Sequence, residues 1–192
     1  MRSGSGQAGK VRIIGGKWRG KKIPIVGNQI RPTPDRVRET MFNWLNMALP
    51  KSRCLDLFAG TGALGLEALS RGAQWVTFVE SDLHSAHALR TVSHEMYGEQ
   101  CMVKHIPALQ FLKQSPTEPF DIIFLDPPYA SDLLEQSLSV LLTGGWCHAG
   151  SILLFEHAKE TVLSVDPPWE KSKQQVAGEV SYGLITHIEE LK

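Results

Sequence analysis

Leu55-Asp56-Leu57-Phe58-Ala59-Gly60-Thr61-Gly62-Ala63-Leu64-Gly65 is the stretch that decides the fold. An apolar run ends in a glycine turn at the mouth of an amphipathic segment, the signature of a strand, a tight loop and a helix. Gly60 permits the turn, Gly62 lets backbone N–H groups approach a ligand, and Gly65 allows helix and strand to pack closely. Outward from it, short apolar runs at 54–58, 75–80, 101–105, 120–125 and 151–156 read as strands. Amphipathic stretches at 62–70, 83–97, 108–114 and 132–142 read as helices, the last opened by Asp132 and Glu135 at capping-box spacing. Such alternation predicts an α/β fold with right-handed crossovers and a mostly parallel sheet covered on both faces. Residues 171–177 and 179–188 flank Gly178 with no helix between them and predict an antiparallel hairpin that closes the sheet. Before the first strand, Val37, Met41, Trp44, Leu45 and Ala48 recur at helical spacing up to Pro50, with Thr33 as the expected N-cap and Pro34 as the first helical residue.

The chain has 192 residues, 42% hydrophobic and 21% charged, which suits a compact domain and excludes whole-chain disorder and disulfide-stapled or collagen-like builds. Formal net charge is zero, but the distribution is lopsided. Residues 1–40 hold ten basic side chains against two acidic ones, leaving ten against eighteen for the remainder. A basic arm joined to an acidic body is the pattern of a solubilising tail or of a segment that meets polyanions. Cys54, Cys101 and Cys147 form no Cys-x-x-Cys pair, as expected of a reduced, cytoplasmic protein. Residues 1–10 contain no apolar core of a secretory signal, and no apolar run is long enough to span a bilayer. His84 and His87 share a helix face without a second ligand pair, so no metal is expected.

Glu80 lies twenty residues after Gly60 at the end of the next strand, placed to accept hydrogen bonds from two ribose hydroxyls. The glycine loop alone suits a dinucleotide site equally well. Asp56 separates the two readings: an acid four residues before the first glycine would oppose a pyrophosphate, whereas it favours a cationic sulfonium bearing an ammonium group. The expected cofactor is S-adenosylmethionine.

Residues 120–125 (FDIIFL) run into Asp126-Pro127-Pro128-Tyr129 at the edge of the sheet where open α/β folds bind ligands. The lone pair of an exocyclic base amine is delocalised into the ring. The Asp126 carboxylate and the Pro127 carbonyl can accept its two N–H bonds and aim that lone pair. The prolines stiffen the loop and remove competing donors, and Tyr129 offers a ring for an extruded base. A second copy, Asp166-Pro167-Pro168-Trp169, leads into the terminal hairpin and reads as an ordinary turn.

With both loops in place the sequence resembles the class I S-adenosylmethionine-dependent methyltransferases of exocyclic amines, and more narrowly the RsmD family. The match starts near residue 11 and includes 15–22 (GGKWRGKK), 31–40 (RPTPDRVRET) followed by Phe42-Asn43-Trp44-Leu45, 54–71, 126–129 and 173–182. The resemblance implies a Rossmann-like sheet of seven strands in the order 3-2-1-4-5-7-6 with the last strand antiparallel. It also implies N2-guanine methylation of 16S ribosomal RNA. Asp126, Pro127, Pro128 and Tyr129 are the expected catalytic loop. Thr33, Asp56, Phe58, Ala59, Gly60, Gly62, Glu80, Ser81, Ala108 and Asp126 are expected to line the cofactor. Many class I enzymes carry an acid after the third strand. Here the positions read Ile106-Pro107-Ala108, so adenine recognition is expected to use backbone groups at Ala108.

On this reading residues 1–9 are a flexible tail, 10–33 a basic RNA-binding arm or hairpin, and 34–192 the methyltransferase domain. Arg12, Lys17, Trp18, Arg19, Lys21, Lys22, Arg31 and Arg36 are the expected RNA contacts, cations interleaved with a ring. The partner is 16S ribosomal RNA, within an assembling 30S subunit or free, met by a monomer. An N6-adenine methyltransferase acting on DNA or RNA is the alternative, because Asp-Pro-Pro-Tyr serves either amine. An RNA-binding assembly factor without turnover is a third reading, against which the intact Asp126 speaks.

Overall fold

Apolar runs too short for helices are buried on both faces only inside a sheet whose two sides are covered. In the computed structural model, which describes residues 9–25, 33–129 and 131–188, those runs form the middle of a three-layer fold. A short antiparallel pair comes first, β1 (Lys10–Arg12) and β2 (Lys22–Pro24), then helix α1 (Asp35–Leu45). The body alternates β3 (Arg53–Asp56), α2 (Ala63–Ser70), β4 (Trp75–Glu80), α3 (Leu83–Tyr97), β5 (Cys101–His105), α4 (Ala108–Phe111), β6 (Phe120–Leu125) and α5 (Leu133–Thr143). It ends with β7 (Cys147–Ala158), β8 (Trp169–Ala177) and β9 (Val180–His187).

The seven-stranded sheet has the order β5-β4-β3-β6-β7-β9-β8, with β9 antiparallel to both neighbours. Counted without the leading pair, this is the expected 3-2-1-4-5-7-6. On one face Met41 and Phe42 of α1, Leu66 of α2 and Leu89 of α3 pack against Cys54, Phe78, Phe124 and Leu154. On the other, Phe111 of α4 and Leu138 of α5 cover Leu55, Ile123 and Phe155. A Cβ on Gly65 would lie 2.2 Å from the Phe78 ring, so this glycine sets how closely α2 approaches β4.

Several boundaries differ from the expectation for local reasons. β3 stops at Asp56 because the chain leaves the β6 ladder after the Leu57 N–H and crosses to bond the Val79 carbonyl through Ala59. α4 ends at Phe111 and closes with a turn at Gln114, just ahead of Pro116, which cannot continue a helix. β7 begins four residues early, at Cys147, where polar His148 and Gly150 hide the alternation. Thr33 is not the N-cap of α1. That position is Pro34, whose carbonyl takes the Val37 and Arg38 N–H groups, and the Thr33 hydroxyl is engaged elsewhere. Asp132 does occupy the cap of α5, yet its side chain bonds Gln136 and not a backbone N–H, so no capping box forms.

The leading hairpin is built into the body. Ile13 and Ile23 are buried in the same cluster as α1 and α2. Glu67, itself fully buried, accepts the Ile14 N–H at 2.6 Å, the Gly15 N–H at 2.8 Å and the Arg71 guanidinium at 2.7 Å. Lys17 N–H reaches the Ser70 carbonyl at 2.8 Å, and Ser70 Oγ donates to the Gly15 carbonyl at 2.6 Å. On the other side the buried Arg38 donates to the Arg12 carbonyl at 2.8 Å and to Asp35 at 2.7 Å. Glu67→Ala would strand two backbone donors and a largely buried guanidinium. The expected loss is about 3 kcal/mol of stability, read as a lowered thermal midpoint, and an unchanged midpoint would refute the clamp.

Candidate active site

Strands β3 and β4 are parallel neighbours, so the loops that leave their ends meet. The Glu80 carboxylate accepts the Gly60 N–H at 2.7 Å through Oε2 and the Asp82 N–H at 2.7 Å through Oε1. Asp82 in turn caps α3, accepting the Ser85 N–H at 2.7 Å. Glu80 is thereby fixed at the strand end, with lone pairs to spare for hydroxyl donors. Gly62 has φ +77°, and a Cβ there would lie 2.3 Å from Leu89 Cδ1, so both backbone conformation and the packing of α3 require glycine. Ala108 is buried at the start of α4, Phe58 is half-buried against the α4 and α5 layer, and Ser81 is exposed. Ile23 and Pro24 share a cleft with Gly60 and Thr61, so the hairpin reaches the back of the glycine loop.

Asp56 lies beneath that loop, 2% exposed, and accepts the Gly65 N–H at 2.9 Å. Burial pushes its carboxyl up to about 7, opposed by the Gly65 bond and reinforced by the charge of Glu80. A carboxyl that holds its proton more tightly folded than unfolded contributes stability below the ordinary carboxylate range. That contribution is lost as pH rises towards about 7. Asp56→Asn retains an oxygen for Gly65 and cannot ionise. Its denaturant midpoint should therefore gain on the wild type as pH is raised from about 4 to about 7, and parallel curves would count against this account.

β6 pairs with β3 on its other side, which sets Asp126-Pro127-Pro128-Tyr129 beside the glycine loop. Pro127 is buried, Pro128 and Tyr129 are exposed, and Pro128 accepts Ser131 Oγ at 2.6 Å. No donor among the described residues bonds the Asp126 carboxylate, whose proton is held well above the usual range by burial and by the nearby charges of Glu156 and Asp56. The second Asp-Pro-Pro is a turn with a cis Pro167–Pro168 bond that leads the buried Trp169 into β8.

Glu156 is the residue that the motif reading missed. Leu125 pairs with Phe155 across β6 and β7, so Asp126 and Glu156 stand side by side at the strand ends. Glu156 is 2% exposed and accepts hydrogen bonds from the Tyr129 hydroxyl and, at 2.9 Å, from Thr33 Oγ1. Burial raises its pKa, and the two hydroxyls act in the opposite direction. The available signal was a repeated pattern: β4, β6 and β7 are apolar runs that lead into Glu80, Asp126 and Glu156.

The hairpin loop carries Lys17, Arg19, Lys21 and Lys22 exposed. Trp18 is half-buried and edge-on to Tyr97 at 6.2 Å, with Lys17 and Lys21 ammonium groups 5.8 and 5.9 Å from its ring, so the indole is a fixed wall under the cations. Arg36 is exposed, and Arg12 is paired with Asp35 at 2.9 Å. Arg31 and residues 1–8 of the expected tail lie outside the described residues. Among the described residues no cluster of His, Cys, Asp or Glu could hold a metal ion, and no helix is long and apolar enough to cross a membrane.

Comparison with known proteins follows the same lines. The family described as Conserved hypothetical protein 95 matches residues 11–186. A ribosomal RNA small subunit methyltransferase D from Haemophilus influenzae is 43% identical over 180 residues, covering 92% of this chain and 93% of the relative. Its counterpart from Escherichia coli K12 is 42% identical, covering 95% and 91%. A solved structure from Escherichia coli, 40% identical, superposes with a TM-score of 0.85 over 93% of this chain and 98% of its own. With its sheet order, its paired loops and this similarity over nearly the full length of both partners, the chain belongs to the RsmD family of methyltransferases.

Proposed function

We propose that this protein methylates the exocyclic N2 amine of a guanine in 16S ribosomal RNA, free or within an assembling 30S subunit. As a member of its family it is an S-adenosylmethionine-dependent ribosomal RNA methyltransferase. The bound cofactor supplies a methyl group on a cationic sulfonium; the amine lone pair forms the N–C bond as the S–C bond breaks. The residues present suit that group: Glu80 is fixed for ribose hydroxyls, Gly62 keeps the loop backbone open, and a bound cation would offset the burial and like-charge crowding that hold protons on Asp56 and Asp126.

The observation that carries the reading is the Asp126 carboxylate, at the sheet edge and without a donor among the described residues. It and the Pro127 carbonyl accept the two amine N–H bonds and turn the nitrogen lone pair towards the methyl group. As the new bond forms, the surplus amine proton passes to Asp126, whose raised proton affinity suits it to receive one, or to water. The Tyr129 ring, partly open to solvent, gives the flipped base a face to lie on. The hairpin cations hold the surrounding phosphates.

The test is to incubate the protein with methyl-labelled S-adenosylmethionine and undermodified 16S RNA or 30S subunits, digest, and map the label by mass spectrometry. Label on guanine N2 is expected. Label on adenine N6 alone would favour the alternative amine, and no label on any RNA would overturn the assignment.

A further inference from the structure

The Asp126 loop, the segment ahead of α1 and the end of β7 are far apart in the chain, yet they converge on one carboxylate. Glu156 accepts the Tyr129 hydroxyl, 27 residues away, and the Thr33 hydroxyl, 123 residues away, and it is itself sealed from solvent. An acid buried in this way persists only if its bonds do necessary work, since desolvating a carboxylate is costly. Packing alone would be served by an apolar residue, as it is at Leu154 and Phe155.

We propose that Glu156 is a positioning residue for methyl transfer: it fixes the plane of the Tyr129 ring beside Asp126 and ties the Thr33 segment to that ring. The inference rests on the function proposed above, because the ring it orients is the face on which the target base lies.

The physical case is geometric. A tyrosine at the exposed end of a loop has two soft torsions, and only the hydroxyl, at the far end of the ring, can restrain both. Tyr129 is 42% exposed, so packing leaves one face open while the bond to Glu156 fixes the tip. The backbone of Glu156 is fixed, because β7 is paired with β6 up to Phe155 and with β9 through Glu156 to Ala158. The second donor, Thr33, occupies the other oxygen, so the carboxylate has one preferred orientation. The titratable groups that face it are Asp126 and Tyr129 from the loop after β6; Tyr182 is its ladder partner on β9.

Glu156→Gln preserves shape, accepts from only one hydroxyl, and presents N–H donors to the other. Tyr129→Phe preserves the ring and deletes the tip bond. Both variants are expected to lower kcat for RNA methylation by about tenfold to a hundredfold, the scale of a misplaced reactant, while calorimetric affinity for S-adenosylhomocysteine is unchanged. The double variant should be no slower than the worse single, because the two residues act through one bond. A second readout needs no activity. In protein labelled with 3-fluorotyrosine there are three tyrosines, and the 19F resonance missing from Tyr129→Phe should shift and broaden in Glu156→Gln. Turnover of either variant equal to wild type, additive losses in the double variant, or an unmoved resonance would overturn the proposal. A wild-type protein that methylates no RNA would instead overturn the function on which it rests.

Discussion

Asp126→Ala is expected to slow methyl transfer by about two to three orders of magnitude while leaving the fold in place. The carboxylate has no donor from the described protein groups, so removing it strands nothing and relieves like-charge crowding with Glu156 and Asp56. Thermal stability should be unchanged or slightly higher. In the proposed reaction the same carboxylate accepts one of two amine N–H bonds, and its removal would leave the base held from one side. A loss of about 10²- to 10³-fold in kcat is the scale of deleting one preorganised electrostatic contact to a transition state. Asp126→Asn keeps an acceptor oxygen but no charge and should fall between the two. Single-turnover methylation with saturating cofactor measures the effect directly. An Ala variant with wild-type turnover would remove Asp126 from the chemistry, and with it the reading of the whole loop.

The second large effect is expected at the hairpin. Replacing Lys17, Arg19, Lys21 and Lys22 by alanine removes four exposed cations, while Ile13, Ile23 and the Glu67 clamp keep the hairpin in place. Each phosphate contact contributes roughly 0.7 to 0.9 to the slope of log affinity against log salt, so the slope should fall by about 3. At moderate salt the RNA affinity should drop by roughly a hundredfold. Binding of S-adenosylhomocysteine should not change, because none of the four side chains lies at the glycine loop. Filter binding across a salt series reads the first and calorimetry the second. An unaltered slope would mean that the RNA is held elsewhere.

The alternating strands and helices and the two loops were legible because their signals are local: short apolar runs, glycines at a strand end, prolines after an acid; the strand order was implied by the family resemblance. Gly65 was read as a packing glycine, and the Phe78 ring 2.2 Å from where its Cβ would be bears that out. Other features were hidden because their partners are remote in sequence. Arg38 sits in a basic run, yet it is 1% exposed and binds Asp35 and the Arg12 carbonyl. Glu67 looks like a polar position on a helix, and its worth appears only when residues 14 and 15 arrive from 52 to 53 positions away. Thr33 has good N-cap chemistry, which a local reading cannot weigh against a carboxylate that belongs to β7.

The span between Thr33 and Glu156 bears on how the molecule is made. Contacts of high sequence separation are completed late, after shorter loops have closed. At ribosomal rates of roughly 5–20 residues per second, the interval between synthesis of Thr33 and of Glu156 is roughly 6–25 seconds. Through that interval the basic hairpin and the glycine loop can already assemble on α2, while Tyr129 is made only near its end and Glu156 at its close. The hairpin can therefore take shape before Thr33 and Tyr129 have the carboxylate that joins them, and β8 and β9, made later still, complete the sheet beside it.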